Sequence, residues 1–259
     1  MRLSAILFLT ATFTVILNGQ KYPAIPPDVS PMPMKPEMTE IWNTEVSVVV
    51  PGVKPGDPPS DAIILFDGSN TDKWESKKSK GKPAPWKIVD SNYMEVVPGS
   101  GDIQTTLKFG DCQLHIEWSA PDIVESQGQG RGNSGVFLQD RYEVQILDSY
   151  RNRTYKNGQA ASIYKDYAPL VNAMKIPDEW NSYDIIYKAP RFNSQGNIDY
   201  PATITVLHNG VLVQNHAVIN GLTLYNGLHT YGDAHGDDVI SLQDHGNKVQ
   251  FRNIWIRKL

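Results

Sequence analysis

Residues 202–213 read ATITVLHNGVLV. Two runs of β-branched and aliphatic residues flank the pair Asn209-Gly210, and this arrangement is the strongest short-range signal for a β-hairpin. Eight further runs of the same character lie between Asp61 and Leu259, separated by turn residues such as Asp-Gly and Gly-Asn. They are AIILFDG, WKIVDSNYMEVV, CQLHIEWSA, SGVFLQ, YEVQILD, YDIIYKA, DVISLQDHG and VQFRNIWIRKL.

These short runs indicate an all-β domain over residues 61–259. No stretch of eleven or more residues shows a 3.6-residue apolar period, and no repeat of solenoid or propeller length is present. Many short strands at regular spacing are typical of an antiparallel sheet protein. The sequence therefore predicts a single domain built as an antiparallel β-sandwich or jelly roll.

Residues 1–19 have the pattern of a secretory signal peptide. Arg2 precedes an uncharged apolar run from Leu3 to Leu17, which is short for a membrane span. An uncleaved N-terminal anchor is the alternative. No cysteine follows the run to accept a lipid, because Cys112 is the only cysteine in the chain. We expect a periplasmic or secreted protein without stable membrane association after cleavage.

Residues 20–60 are rich in proline, which disfavours helix interiors and central strands. This segment is predicted to be an arm or linker. Within it, WNTEVSVVVPG at 42–52 has strand character, so an edge strand on the domain or on a second subunit is one interpretation, and an extended linker is the other. The oligomeric state stays open.

Composition and motifs exclude several function classes. The net charge of −4 gives no support for a nucleic-acid partner. The sequence contains no GxGxxG after a strand, no P-loop, no GxSxG, no HExxH and no CxxC. Dinucleotide-binding, P-loop, serine-hydrolase and zinc-protease functions therefore lose their usual sequence support.

Two predicted strands carry paired polar residues on one face. Alternation in YEVQILD places Glu143 and Gln145 on the same side, and alternation in ISLQDHG does the same for Gln243 and His245. If both faces line one concave surface, they form a polar cluster suited to a polyhydroxylated ligand. The alternative is that both faces are the solvated outer side of the sandwich.

Seven sequence blocks occur in a characteristic order between residues 65 and 259. They are LFDGSNTDKW (65–74), GDIQTT (101–106), FGDCQLHIEW (109–118), GNSGVFLQDRYEVQILDSY (132–150), EWNSYDIIY (179–187), TVLHNGVLVQ (205–214) and ISLQDHGNKVQFRNIWIRKL (240–259). The combination of GNSG with YEVQILD, then WN, HNG, and LQDHG with FRNI is specific. In this order the blocks resemble the 3-keto-disaccharide hydrolase family, long catalogued as a domain of unknown function.

The resemblance implies a concanavalin A-like jelly roll that acts on a carbohydrate. Members of the family act on glycosides whose C3 hydroxyl has already been oxidised to a ketone. A C3 carbonyl acidifies the proton on C2 and places the C1 leaving group β to the carbonyl. Cleavage can then proceed by proton abstraction, elimination and addition of water, which requires a base, an acid and donors at the C3 oxygen.

This chemistry leads to a hypothesis for the site residues. Glu143 and His245 are the groups suited to be base and acid. The predicted substrate-binding residues are Arg131, Asn133, Gln145, Lys165, His235 and Gln243. No cofactor is certain. Calcium is considered because many concanavalin A-like domains hold it and the carboxylates of Asp233, Asp237 and Asp238 lie close in sequence, but no spaced calcium signature is present.

Two other functions compete with this hypothesis. A carbohydrate-binding module or adhesion domain would stack sugars on tryptophans, although tryptophans within β-runs are more typical of a core. A laminarinase-type glucanase would use the partial motif Glu143-x-Gln145-x-x-Asp148. On a regular strand Asp148 points away from Glu143 unless a bulge intervenes, so we interpret Asp148 as a strand-end residue that holds the following loop.

Overall fold

The predicted all-β class is confirmed in a computed structural model, which describes residues 33, 35–42 and 45–259. Apart from strands, the described residues form only three short 3-10 turns, at Pro36–Met38, Gly128–Gly130 and Lys156–Gly158. The strands are β1 (Ile63–Phe66), β2 (Trp74–Ser76), β3 (Lys87–Val89), β4 (Tyr93–Glu95), β5 (Ile103–Thr105), β6 (Cys112–Ser119), β7 (Ser134–Leu138), β8 (Tyr142–Ile146), β9 (Asn181–Lys188), β10 (Arg191–Phe192), β11 (Ile198–Tyr200), β12 (Thr203–His208), β13 (Val211–Val218), β14 (Ser241–Leu242) and β15 (Gln250–Lys258).

Two antiparallel sheets contain most of these strands. The larger sheet has the order β13-β12-β9-β6-β15-β4-β3, with β1 also paired to β15. The smaller sheet has the order β2-β5-β14-β7-β8, and β10 pairs separately with β11. Other neighbours than the hairpin pairs, such as β6 with β15 and β14 with β7, are distant in sequence, as in a sandwich with Greek-key connections. The hydrophobic core includes side chains from both sheets.

Each of the nine predicted runs contains at least one strand. The turn in ATITVLHNGVLV is formed as expected: Asn209 and Gly210 have φ of 53° and 76° and connect β12 to β13. Positive φ at both central residues is the geometry that matches the twist of a two-residue hairpin. The sequence runs missed four short strands, namely β2, β5, β10 and β11.

The predictions for residues 1–60 are described only in part. The predicted signal peptide and residues 20–32 of the arm lie outside the described residues. The compact unit spans Val48–Leu259 and so includes the last residues of the predicted arm as well as the predicted domain. Residues 45–52 form no strand. Instead, Gly56 accepts hydrogen bonds from Asn253 and Trp255 of β15, which fixes this loop to the larger sheet.

Four tryptophans belong to the core, as their positions in β-runs predicted. Trp74, Trp86, Trp118 and Trp255 are each at most 5% exposed, so none offers a ring face to a sugar. Trp180 is half-buried and is covered by the guanidinium of Arg252, 4.1 Å from the ring centroid. These five residues therefore give no support to a tryptophan-based sugar-binding surface.

One edge of the smaller sheet is covered by two loops. Strand β8 is the outermost strand, and an uncovered edge exposes unpaired backbone groups. Residues 161–164 pair with it, since Tyr164 N donates to Glu143 O at 3.1 Å. The backbone N of Glu143 donates to Thr223 Oγ1 at 2.9 Å. The two loops thus meet beside the side chains of β8.

Among the described residues, no helix is long and apolar enough to cross a membrane.

Candidate active site

A cavity of about 310 Å³ opens beside strands β7 and β8. Its volume is at the lower end of the range for small-molecule sites. The lining combines one carboxyl group, one imidazole, several amides and hydroxyls, and three aromatic rings. The lining residues are Asn133, Phe137, Glu143, Gln145, Tyr164, Thr223, Tyr225, Gln243 and His245.

Glu143 and Gln145 lie on the same side of β8, as alternation predicted. Their side chains point away from the core residues Tyr142, Val144 and Ile146, yet they are only 5% and 1% exposed. The solvated-face interpretation is therefore wrong for β8, because the two covering loops enclose this side of the strand.

The carboxyl group of Glu143 is buried without a hydrogen-bond donor beside it in the described part of the chain. Within residues 45–259, no protein donor forms a hydrogen bond to it. Burial, together with the nearby negative charge of Asp102, raises the pKa of Glu143 to about 8. A buried carboxyl group with such a pKa exchanges its proton near neutral pH, as a general acid or base must.

This pKa shift makes a prediction about stability. Between its ordinary pKa of 4.5 and about 8, Glu143 keeps its proton when folded and loses it when unfolded. In this pH range the folded protein binds more protons than the unfolded chain. The contribution of Glu143 to the free energy of unfolding therefore falls as pH rises from 4.5 to about 8. Glutamine does not titrate, so the free energy of unfolding of Glu143→Gln minus that of wild type is expected to rise by roughly 3 to 5 kcal/mol from pH 4.5 to pH 8.5. Urea titrations of both proteins across this range measure the difference, and a constant difference would contradict the buried, protonated carboxyl.

Asn133 presents an acceptor to the cavity. Its backbone N donates to Asn247 Oδ1 at 2.8 Å, and its Nδ2 donates to the carbonyl of Gln129 at 2.6 Å. Because a carbonyl only accepts, this bond fixes the amide orientation. The side-chain oxygen of Asn133 is then the atom left for a ligand.

Gln243 and His245 reach the same cavity, although not on a continuous strand. The predicted strand ISLQDHG ends after Leu242, and one further ladder bond joins Gln243 N to Gly135 O. Asp244 ends the strand because its carboxylate accepts from the backbone N of Gly101 and Gly246. The turn leaves Gln243 half-buried and His245 exposed at the cavity mouth.

Three aromatic residues form the rest of the wall. Phe137 lies across from Glu143 in the β7–β8 pair, Tyr164 belongs to the covering segment, and Tyr225 stands 72% exposed at the rim. Such rings can stack on the apolar face of a sugar. Lys165 lies behind this wall, with its Nζ 5.0 Å from the Tyr225 ring centroid. Its ammonium also lies 4.3 Å from the ring centroid of Tyr155.

The sequence missed Thr223 and the aromatic wall as site residues. Thr223 Oγ1 accepts from the backbone of Glu143, which leaves its hydroxyl proton free for another acceptor. No sequence pattern marks this residue, because it approaches β8 from a loop 80 residues away. Tyr164 precedes the predicted residue Lys165 directly, so attention to the uncharged neighbour would have found it.

Besides Lys165, two predicted site residues lie outside the cavity, namely Arg131 and His235. Arg131 forms an ion pair with Asp148, with Nε 2.6 Å from Oδ2, and donates to Tyr150 O. It lines a separate cavity of about 270 Å³. His235 lies 2.7 Å from the hydroxyl of Tyr142, which points to the opposite side of β8 from Glu143. Neither residue joins Glu143 and His245.

Asp148 holds the following loop, as its strand-end position predicted. It is 1% exposed, pairs with Arg131, and accepts from the backbone N of Tyr150 at 3.0 Å. Glu143 is consequently the only carboxylate in the cavity lining among the described residues. The pair of carboxyl groups that a retaining glucanase needs is not assembled by the Glu143-x-Gln145-x-x-Asp148 motif.

The aspartates considered for calcium do not form a ligand set. Asp238 is bound by Arg141 and Lys108, with N–O distances of 2.7 and 3.2 Å. Across the residues that the structure describes, no group of three or more acidic, histidine or cysteine side chains could hold a metal ion. Within the described part of the chain, these aspartates therefore do not assemble the calcium site suggested by the fold family.

Two other histidines, His115 and His208, have structural roles. His208 Nε2 lies 3.1 Å from Asn181 Oδ1, and burial lowers the pKa of His208 to about 4. For His115, burial opposes the charged form, but the hydrogen bond with Asp184 and the nearby carboxylate of Glu117 raise the pKa to about 9. Both side chains lie in the larger sheet, away from the cavity.

Comparison with known proteins identifies the family. The model of the 3-keto-alpha-glucoside-1,2-lyase-like domain matches residues 61–257. A 3-keto-disaccharide hydrolase from Bacteroides thetaiotaomicron is 27% identical over 235 residues, covering 76% of this chain and 78% of that protein.

Solved structures agree with this result. A candidate glycosyl hydrolase from Parabacteroides distasonis is 48% identical, with a TM-score of 0.82 over 87% of this chain and 97% of that one. A second candidate glycosyl hydrolase from the same organism is 18% identical, with a TM-score of 0.54 over 77% and 94% of the two chains; it supports the fold alone. The chain belongs to the family of the 3-keto-alpha-glucoside-1,2-lyase-like domain and is a glycoside-cleaving enzyme.

Proposed function

We propose that this enzyme cleaves 3-keto-glycosides by removing the proton from C2, eliminating the C1 substituent and adding water. The observation that carries the proposal is the solitary buried carboxyl of Glu143, with its pKa raised to about 8. Elimination next to a ketone requires a single base of this kind, whereas double displacement on an ordinary glycoside requires two carboxyl groups.

The proposed reaction balances as a net hydrolysis. Glu143 takes the C2 proton, and the electron pair of the C–H bond delocalises onto the C3 oxygen as an enolate. The enolate then reforms the ketone, a C1–C2 double bond appears, and the C1–O bond breaks. His245 gives a proton to the departing oxygen. Water then adds its hydroxyl group to C1 and gives its remaining proton to His245, while Glu143 returns its proton to C2.

The cavity offers groups for the other requirements of this reaction. The amide of Gln243, the imidazole of His245 and the hydroxyl of Thr223 are donors that can stabilise charge on the C3 oxygen. Asn133 and Gln145 supply acceptors for the remaining sugar hydroxyls. Phe137 and Tyr225 are suited to pack on the ring.

Lys165 is assigned a supporting role. Its ammonium lies against the rings of Tyr155 and Tyr225. These cation–π contacts stabilise the position of the Tyr225 ring at the cavity rim. We infer that its positive charge also favours the enolate from behind this wall. Arg131 and His235 have no role in this proposal, because Arg131 is paired with Asp148 and His235 contacts Tyr142 on the opposite side of β8.

The proposal is tested with purified protein and two substrates. A 3-keto-glucoside and its unoxidised parent are incubated with the enzyme, with and without a chelator, and products are followed by chromatography. Cleavage of only the keto-sugar supports the proposal. Cleavage of the parent would favour a glucanase, and binding without turnover would favour a binding module.

Gly135 offers a second test, because it gives space to the Glu143 carboxyl. A Cβ atom at Gly135 would lie 2.5 Å from Glu143 Oε1 and 3.0 Å from the Phe137 ring. Gly135→Ala is therefore expected to displace the carboxyl and lower kcat by at least about tenfold, since small displacements of a catalytic group are costly. Steady-state kinetics measure the loss, and circular dichroism checks the fold.

The matched control for Gly135→Ala is Gly236→Ala. A Cβ at Gly236 meets no atom within 4 Å, so this variant should keep wild-type kcat. Equal activity of the two variants would contradict the role of Gly135.

We also propose that the protein is exported. The support is the sequence of residues 1–19, with one arginine before an apolar run and no lipid-accepting cysteine after it. N-terminal sequencing of the protein from fractionated bacterial cells would show cleavage near Gly19. Recovery of the uncleaved chain in the cytoplasmic fraction would contradict export.

A further inference from the structure

Gln129 is a half-buried neighbour of the cavity that the proposed reaction does not use. It follows the first residue of the 3-10 turn Gly128–Gly130, and its side chain reaches Gln145 of β8. Its Nε2 donates to the carbonyl of Gly158 at 2.7 Å and to Thr154 Oγ1 at 3.0 Å.

These contacts fix the orientation of two amides in series. The Gly158 carbonyl can only accept, so Gln129 must turn its Nε2 toward it. Gln129 Oε1 then faces Gln145. Because this oxygen only accepts, Gln145 must donate to it through its own Nε2, which lies 3.1 Å away. The reverse orientation of Gln145 would place two amide oxygens against each other.

The orientation leaves one atom of Gln145 unused. Its Oε1 is buried and has no hydrogen-bond partner, and the side chain lines the cavity. A buried acceptor without a partner is costly. A ligand that donates a hydrogen bond to this atom would remove that cost.

We propose that Gln129 is a positioning residue that sets the polarity of Gln145, so that the cavity selects a sugar hydroxyl at this position. Gln145 Oε1 accepts from a hydroxyl and rejects a carbonyl or a missing group. The ketone oxygen of the substrate therefore binds elsewhere in the cavity, near the donors Gln243 and Thr223. This inference rests on the proposed function, since it concerns the same sugar.

The experiment compares selectivity in three proteins. Wild type, Gln129→Leu and Gln127→Leu are assayed with a 3-keto-glucoside and with analogues that lack the hydroxyl at C2, C4 or C6. Sites built around a buried polar partner reject a ligand that lacks it by large factors. We expect wild type to disfavour one analogue by at least about 100-fold in kcat/KM, and Gln129→Leu to reduce this ratio to below about tenfold.

Two controls separate positioning from a general structural effect. Gln127 is exposed in the same loop, so Gln127→Leu should keep the wild-type ratio. If Gln129→Leu does not fold, Gln129→Met serves instead, because methionine has similar length and no amide. A merely structural role would lower kcat/KM for all analogues by one factor and leave their ratio unchanged, which would overturn the inference.

Calorimetric binding separates this inference from the proposed function. The same sugars are titrated into Glu143→Gln and into the double variant with Gln129→Leu, where no turnover is needed. Absence of cleavage by wild type would refute the proposed function alone. Equal binding selectivity of the two variants, or no binding by either, would refute the role of Gln129.

Discussion

Glu143→Gln is expected to lower kcat for a 3-keto-glucoside by roughly 10²- to 10⁴-fold, the usual contribution of a general base. Glutamine keeps the size and the hydrogen-bonding capacity of the side chain but cannot accept the C2 proton. Because glutamine can still contact the sugar, KM should change much less than kcat. Steady-state kinetics on the folded variant, monitored by circular dichroism, provide the measurement.

The pH dependence of the wild-type enzyme is the control for this result. The ratio kcat/KM reports the ionisation of the free enzyme, and a base must be deprotonated to act. With its pKa raised to about 8, Glu143 should make kcat/KM rise with pH until about 8. A near-normal kcat in Glu143→Gln would refute the assignment, and a fall of kcat/KM through pH 8 would make Glu143 an acid rather than a base.

Asp148→Asn is expected to lower the free energy of unfolding by about 3 kcal/mol, because removing one partner of a buried ion pair leaves the other charge uncompensated. The side chains of Asp148 and Arg131 are 2% and 14% exposed and lie 2.6 Å apart. Asp148 also accepts from the backbone of Tyr150, so the variant weakens the loop that follows β8. Urea unfolding measures the loss.

The comparison variant for Asp148 is Asp233→Asn. Asp233 is exposed, so its charge should contribute little and the variant should stay within about 0.5 kcal/mol of wild type. If the two variants were equally stable, the Arg131–Asp148 pair would be a surface-like contact. If Asp148→Asn lost glycosidase activity without losing stability, Asp148 would have a role in catalysis after all.

An open cavity distinguishes the polar side of β8, which is a candidate site, from the polar pair His115–Asp184 in the larger sheet, which is structural. His115 and Asp184 also lie on adjacent strands with a short contact of 2.6 Å. There, however, the loop at Gly56 closes over the ring, since a Cβ at Gly56 would lie 3.3 Å from His115 Nε2. Beside β8, the two covering loops leave an open volume, so Glu143 can meet a substrate.

The sequence alone determined most of the strands and the side of β8 that carries Glu143 and Gln145. Alternation along a strand is a local property with a period of two, so it can be read from YEVQILD without any tertiary information. The Asn209-Gly210 hairpin is equally local. The blocks that resemble the family were also present in the sequence, and the family match over residues 61–257 confirms them.

Only the tertiary structure decided that this side of β8 is enclosed and which residues join it. Thr223 meets Glu143 across 80 residues of sequence, and Gly135 makes room for the carboxyl from the neighbouring strand. From the sequence, Arg131 was equally suited to bind substrate. The fold places Asp148 beside it, and the two side chains form an ion pair instead. Long-range pairings set these distances, and a local pattern contains no information about which loop will cover a strand or which charge will neutralise another.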